Sequence, residues 1–178
     1  QDSLLFEVDK RQGEWVLCAY LSGDPNMIEV VESGSDAHAS TAHLGFNVPL
    51  ELIKRDTELV GHETDARKIK RLREKYCPQP TLYNIPTTMS LRQAGKKSNH
   101  AFNYGLGHVN FARNNEIPEF EGKKIREAYH SAYPSISSVM WRWVENELSK
   151  SRTLTNVFGR TRTFFDRWDH NLLQDAYA

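Results

Sequence analysis

The sequence predicts a predominantly helical α+β fold, in which a helical middle is inserted into an antiparallel sheet. Apolar residues alternate over residues 4–8, which predicts a strand near the start of the chain. Over residues 13–150 the apolar residues recur mostly at helical spacing. Two strand-like runs, 153–157 and 161–165, flank a turn at Gly159 and predict a β-hairpin. We therefore expect strand-forming ends to bracket the helices, with part of the sheet supplied by residues that this chain lacks.

The helical middle is divided by polar, glycine and proline residues. Asp24 followed by Pro25 predicts the N-cap and the first residue of a helix, and Asp36 predicts the cap of the next. Residues 49–76 are rich in charge and are predicted to be helical. The other helices are predicted over residues 13–21, over 38–44, from Ser90 to a turn at 104–107, over 123–133 and over 135–150.

The composition is that of an ordinary soluble globular chain with one core. Of the 178 residues, 39% are hydrophobic and 26% are charged. The 23 Lys and Arg residues balance the 23 Asp and Glu residues, so the chain has no overall basic field of the kind that accompanies nucleic-acid binding. A surface that contacts DNA therefore has to come from local clustering of cations.

The sequence carries no signal for a membrane or for an oxidising compartment. Cys18 and Cys77 lie far apart and form neither a disulfide framework nor a zinc-ligand pattern, which favours a reducing cytosol. No run approaches the roughly 18 apolar residues that span a bilayer. We expect a cytoplasmic protein without a membrane partner. The absence of an initiator Met predicts an excised or processed fragment.

One stripe of functional side chains stands out. Arg92, Lys96, His100 and Tyr104 are spaced by four, so on a helix they share one face about 18 Å long. Two like charges near a helix N-terminus oppose the helix dipole, which indicates a bound anion. A triphosphate would satisfy both cations, and the rings could then meet its sugar and base. The alternative is a solvated basic face that ends in a packed tyrosine.

Two carboxylates follow the predicted first strand. Asp9 lies at its end, and Glu14 lies five residues further on. A carboxylate in this position can hold Mg²⁺ together with phosphate oxygens of a substrate. The alternative is that Asp9 is only a turn or cap residue.

Five motifs, in this order, resemble those of family A (DNA polymerase I-like) DNA polymerases and cover nearly the whole chain. The motifs are Asp9-Lys10-Arg11-Gln12-Gly13-Glu14 with Leu21-Ser22-Gly23-Asp24, Asp36-Ala37-His38-Ala39-Ser40-Thr41-Ala42, Arg92-x3-Lys96-x3-His100-x3-Tyr104-Gly105, Tyr129 to Pro134, and Thr155-x3-Gly159-Arg160-Thr161-Arg162. The first and third are similar to motifs A and B of that family.

This resemblance implies a metal site and a sugar site. Asp9 would be a ligand of two catalytic Mg²⁺ ions, and the backbone carbonyl of Lys10 would be a further ligand. Glu14 would crowd the 2′ position of the sugar and reject ribonucleotides. Gln12 would lie near the primer and the nascent base pair. His100 stands where the family usually has Phe or Tyr, the ring that packs on the nucleotide sugar.

The resemblance also implies contacts to phosphates and to DNA. Arg92, Lys96 and His38 would hold the triphosphate of an incoming dNTP, and Lys96 would assist proton transfer to the leaving pyrophosphate. Tyr104-Gly105 would contact the template side, and Arg160 would contact the primer-template. The implied partners are thus a dNTP and primer-template DNA, in a bacterial or phage-infected cell.

The resemblance divides the chain into three parts and indicates what it lacks. Residues 1–24 would be a palm segment, 25–150 the fingers, and 151–178 a return to the palm with a hairpin and a truncated helix. Two-metal catalysis needs a second source of carboxylate, which the family carries in a later His-Asp-Glu motif. No such motif follows Arg162. We expect the missing palm segment to act in cis or in trans, and the chain alone to be inactive.

Two other functions stay open from the sequence. The chain could be a non-catalytic module that binds nucleotide or DNA, which the missing carboxylates would also permit. It could instead be a helical interaction domain whose motifs are coincidental.

Overall fold

The predominantly helical α+β fold is confirmed. The computed structural model describes residues 12–76, 88–156 and 158–178, so the strand predicted over residues 4–8 lies outside the described residues. Within these ranges the elements are α1 (Gly13–Ser22), α2 (Pro25–Glu32), α3 (Ala37–Phe46), α4 (Leu50–Val60), α5 (Ala66–Tyr76), α6 (Leu91–Phe102), α7 (His108–Asn114), α8 (Glu119–Ala132), a π-helical segment (Ile136–Trp141), α9 (Arg142–Ser151), β1 (Thr153–Thr155), β2 (Thr161–Thr163) and α10 (His170–Tyr177).

Three apolar clusters hold these elements together. The largest joins α1, α2, α7, α8, the π-helical segment and the ends of α3 and α6. A second lies between α3, α4 and the start of α6. The third packs α9 against the hairpin and α10. Helix α6 contributes to two of the three clusters, so its position is fixed at both ends.

The predicted caps are confirmed at Asp24 and Asp36. Asp36 Oδ1 accepts hydrogen bonds from the backbone N–H groups of His38 and Ala39. Asp24 is fully buried, and its Oδ1 accepts from the N–H groups of the first turn of α2. Its Oδ2 accepts from the N–H of Ser135, just before the π-helical segment, at 3.1 Å. One carboxylate therefore serves two helix starts.

Helices α3 and α6 cross in close contact at Gly95. A Cβ atom at this position would lie 2.1 Å from the backbone carbonyl oxygen of His38. Only a residue without a side chain allows the two backbones to come this near. The crossing brings His38 on α3 next to the functional face of α6.

A buried ion pair fixes the start of α6. Arg73 Nε donates to Asp56 Oδ1 at 2.6 Å, and its Nη2 donates to the carbonyl oxygen of Met89 at 2.9 Å. Asp56 Oδ2 also accepts from the backbone N–H of Leu91 at 2.7 Å. Both charged side chains are almost completely buried, and their hydrogen bonds satisfy one another. The pair therefore ties α4 and α5 to the first turn of α6.

Three helical details differ from the predictions. Residues 49–76 form two helices, because Asp65 caps α5 through the N–H groups of Arg67 and Lys68 and starts a new helix there. Helix α7 was not predicted. The segment predicted as one helix over 135–150 begins as a π-helix before it continues as α9.

The predicted hairpin is confirmed, with β1 and β2 antiparallel and Thr153, Leu154 and Thr155 opposite Thr163, Arg162 and Thr161. The last helix, α10, packs back onto the turn that follows α6. The ring of Tyr177 stacks on Trp141 with the ring centroids 5.1 Å apart. A Cβ at Gly105, whose φ is +73°, would lie 2.9 Å from the Tyr177 ring. Among the described residues, no helix is long and apolar enough to cross a membrane.

Candidate functional site

A cleft of about 420 Å³ lies between α6, the start of α1 and α3. Six of its lining residues come from the predicted site: Gln12, Glu14, His38, Lys96, His100 and Tyr104. The cleft is completed by Gly13, Trp15, Asn99 and Asn103. Side chains predicted from three separate motifs thus meet around one space.

One end of the cleft is organised by the carboxylate of Glu14. The phenol of Tyr104 donates to Glu14 Oε2 at 3.1 Å, and His100 Nδ1 lies 3.7 Å from the same oxygen. Burial, followed by the charges of Cys18 and Glu14, raises the pKa of the Tyr104 phenol well above its ordinary value. Tyr104 therefore stays protonated and remains a donor to Glu14. Helix α6 ends at Phe102, so Tyr104 reaches the cleft from the turn that follows.

The opposite end of the stripe is cationic. Arg92 Nε donates to Asp36 Oδ2 at 2.8 Å, the carboxylate that caps α3. Burial acts to raise the pKa of Asp36, but hydrogen bonds from the Ala39 N–H and from Arg92 outweigh it, and this pKa is lowered. Asp36 is thus an anion that holds Arg92 through Nε. The two terminal nitrogens of the guanidinium make no hydrogen bond to a described residue.

Lys96 stands between two clefts. It lines the first cleft, and it also lines an adjoining one of about 640 Å³ that contains Arg92, Gln93 and Lys97. Lys96 makes no ion pair with any residue in the part of the chain that the structure describes. Its ammonium group is therefore free to meet an anion from either side.

His38 is held by a chain of buried polar groups. Its Nδ1 lies 3.1 Å from Asn99 Nδ2, and Asn99 Oδ1 accepts from the hydroxyl of Thr41 at 2.7 Å. The phenol of Tyr133 lies 3.0 Å from that hydroxyl. Burial, followed by the charge of Arg92, lowers the pKa of His38 to about 4. The ring is therefore neutral near pH 7 and contributes hydrogen bonds rather than charge.

The remaining predicted residues lie elsewhere. Arg160 is exposed at the hairpin turn and does not line the cleft. Gly105 lies under the ring of Tyr177. Asp9 and Lys10 lie outside the described residues. Within residues 12–76, 88–156 and 158–178, no group of three His, Cys, Asp or Glu side chains is placed to hold a metal ion.

The sequence did not single out three residues that shape the site. Gly95 sets the distance between α3 and α6, and Asn99 contacts His38. Asn103 accepts from the Trp141 indole through its backbone oxygen at 2.8 Å and from the Tyr129 phenol through its side chain. The available signal was Asn99, because Asn is unfavourable inside a helix unless its amide has partners.

The fold matches that of part of a polymerase domain. The chain superimposes on the structure "POL domain of Pol1 from M. smegmatis complex with DNA primer-template and dNTP" with a TM-score of 0.66 and 22% identity. The match covers 95% of this chain and 24% of that one.

The resemblance to family A DNA polymerases is confirmed by the relatives of the chain, which are DNA polymerase I proteins. The thermostable DNA polymerase I of Thermus aquaticus is 26% identical over 162 residues, which are 89% of this chain and 15% of that protein. DNA polymerase I of Lactococcus lactis is 26% identical over 140 residues, 79% of this chain and 12% of that protein. DNA polymerase I of Geobacillus stearothermophilus is 23% identical over 177 residues, 99% of this chain and 16% of that protein. No family model matches the sequence. The chain thus spans less than a fifth of each of these relatives.

Proposed function

We propose that this chain is the part of a family A DNA polymerase that receives the incoming nucleotide. The complete enzyme would transfer a nucleotide from a dNTP to the 3′-OH of a DNA primer in replication or repair, in the cytoplasm of a bacterial or phage-infected cell. The observation that carries this proposal is the meeting of His38, Lys96 and Glu14 around one cleft. Residues 25–150 would be its fingers, between palm segments at 1–24 and 151–178.

The charge distribution supports one orientation of the nucleotide. Arg92 and Lys96 lie towards the N-terminal end of α6, where a triphosphate would also meet the positive end of the helix dipole. Glu14 lies near the other end of the stripe, beside His100 and Tyr104. The phosphates would therefore face the cations. The sugar would face Glu14, whose carboxylate leaves no room for a 2′-hydroxyl.

The residues of this chain have distinct tasks in the proposed reaction. Arg92 would bind phosphate oxygens through its two terminal nitrogens while Asp36 holds its Nε. Lys96 would neutralise the charge that develops on the leaving pyrophosphate and donate a proton to it. Tyr104-Gly105 and Arg160 would contact the primer-template DNA.

The proposed metal ligands are oxygen atoms, as Mg²⁺ prefers. Asp9 would supply a carboxylate and Lys10 a backbone carbonyl, three to five residues before the cleft residues Gly13 and Glu14. Mg²⁺, when bound, would neutralise charge on the phosphates. The other carboxylates would come from a His-Asp-Glu motif in a palm segment that is joined to this chain or supplied by another.

Primer extension tests the proposal. The chain is mixed with a second polypeptide that carries the His-Asp-Glu motif, and is supplied with primed template, Mg²⁺ and dNTPs. We expect extension that Asp9→Asn abolishes while nucleotide binding persists. The matched control is Asp65→Asn, because Asp65 is exposed just before α5 and Asn also caps a helix. A folded mixture that binds dNTP and never extends a primer would favour the non-catalytic binding module.

A further inference from the structure

The buried contacts of Asn99 determine which nitrogen of His38 carries the proton. Asn99 is 3% exposed and lies on the face of α6 that packs against α3. Its Nδ2 atom lies 3.5 Å from the carbonyl oxygen of Ala37 and 3.1 Å from His38 Nδ1. If the amide were turned around, its oxygen would face the Ala37 oxygen, and two acceptors would meet. The nitrogen therefore lies on this side, where it donates.

The other side of the amide is fixed by hydroxyl groups. The single hydroxyl hydrogen of Thr41 is donated to Asn99 Oδ1, so Tyr133 has to donate to Thr41 in turn. Tyr133 is fully buried, and burial raises the pKa of its phenol to about 12. The phenol therefore keeps its proton. Tyr133 therefore donates to Thr41, and Thr41 donates to Asn99 Oδ1.

These directions leave one protonation state for the imidazole. Because Asn99 Nδ2 can only donate, His38 Nδ1 has to accept, and a neutral ring carries its single proton on Nε2. The Nε2 atom makes no hydrogen bond to a described residue, and the ring lines the cleft beside Lys96.

We propose that Asn99 is a positioning residue that holds His38 as a neutral Nε2–H donor to a phosphate oxygen of the nucleotide. This inference rests on the proposed function for the identity of the ligand. Its first part, the tautomer, stands on the buried contacts alone. The charged or titratable groups around the ring are Arg92, Lys96 and His100 on α6 and Asp36 before α3.

The tautomer is measured by nitrogen NMR on the wild-type chain with ¹⁵N-labelled histidine at pH 7, and the His38 signals are identified by their absence in His38→Gln. We expect a protonated Nε2 and an unprotonated Nδ1. A proton on Nδ1 would overturn the inference, and this measurement needs no substitution at the buried Asn99.

Binding of inorganic tripolyphosphate tests the consequence for the ligand. Asn99→Asp replaces the donor by an acceptor, so we expect the proton of His38 to move to Nδ1 and tripolyphosphate affinity to fall at least tenfold. Asn146→Asp makes the same exchange at an exposed residue of α9 that lines neither cleft. Equal losses in the two variants would overturn the positioning role.

The proposed function can fail separately. If the wild-type chain shows the Nε2–H form but binds neither tripolyphosphate nor dNTP, the nucleotide-binding proposal is contradicted. The tautomer assignment is then supported all the same.

Discussion

The backbone carbonyl oxygen of His38 lies 2.1 Å from the point where a Cβ at Gly95 would be built. This contact places a phosphate-binding candidate on α3 against α6, the helix that we propose to face the nucleotide. A backbone carbonyl in a helix cannot move aside as a flexible side chain can.

Gly95→Ala should therefore force α3 and α6 apart. We expect the free energy of unfolding to fall by about 1–3 kcal/mol, with a loss of nucleotide affinity because His38 moves away from Lys96. Urea denaturation and dNTP titration measure the two effects. Gly45→Ala is the matched control on α3, because a Cβ there meets nothing within 4 Å and alanine favours a helix. If both variants had the same stability, the close crossing would be contradicted.

The buried pair of Asp56 and Arg73 gives a second prediction. Asp56→Asn should lower the free energy of unfolding by about 3–5 kcal/mol, because Arg73 is left as an uncompensated buried charge. Glu51→Gln breaks the exposed ion pair with Lys54 and should cost less than about 0.5 kcal/mol. Chemical denaturation of both variants provides the comparison, and a small effect at Asp56 would mean that the pair is not buried in solution.

His130 gives a prediction about pH. Its two ring nitrogens are buried without a hydrogen bond to a described residue, among the rings of Phe102, Tyr129 and Trp141. Burial, followed by the charge of Arg126, lowers the pKa of His130 to about 4. An unfolded histidine titrates near pH 6.5, so the unfolded chain binds more protons between about pH 6.5 and 4. Stability should therefore fall as the pH is lowered through this window.

His130→Phe should reduce the loss of stability between pH 7 and pH 5 by about 1 kcal/mol, since the new ring fits an aromatic cluster and takes up no proton. Part of the pH dependence of stability should remain in this variant, because burial also lowers the pKa of His38. Thermal or urea unfolding at several pH values gives the slopes. His62→Gln, at an exposed position, is the control, and an unchanged slope in His130→Phe would refute the assignment.

Substitutions of Lys96 and of its neighbour Lys97 distinguish the roles of the two lysines in binding the nucleotide. Lys96→Ala should weaken dNTP binding about tenfold or more, because it removes a charge-assisted contact to phosphate. Lys97 lines the adjoining cleft but not the first, so Lys97→Ala should have a much smaller effect. Isothermal titration with dNTP measures both affinities. Equal losses would contradict the assignment of Lys96, rather than Lys97, to the phosphates.

Much of the fold follows from local sequence. The caps at Asp24 and Asp36 were predictable because each joins atoms only two or three residues apart. The hairpin was predictable for the same reason, since a short turn connects two strand-forming runs. The π-helical start at 136–141 left no local signal. It lies where Asp24, far away in the sequence, accepts from Ser135.

Six of the residues that line the cleft were predictable from the motifs, whereas the geometry of the cleft was not. Motif spacing placed Lys96, His100 and Tyr104 on one face, and the cleft contains all three. The buried contacts behind these residues were not predictable, because Asn99 contacts Thr41 and His38 on another helix, about sixty residues away. A contact of this kind depends on how α3 and α6 cross, which Gly95 decides.

The shared cap at Asp24 bears on the order of events during synthesis. The hydrogen bond from Ser135 to Asp24 Oδ2 joins residues 111 positions apart, and Asn26 Nδ2 donates to the carbonyl oxygen of Ala132 across 106 positions. Such distant contacts form late, because the intervening chain has to be made and its ends brought together. While the ribosome is still translating the middle of the chain, α2 therefore has only its local cap from Asp24 Oδ1 and lacks its contacts with Ala132 and Ser135. Native docking of α2 has to wait until residues 132–135 have left the exit tunnel, and until then the apolar side chains of α1 and α2 lack their partners from α8.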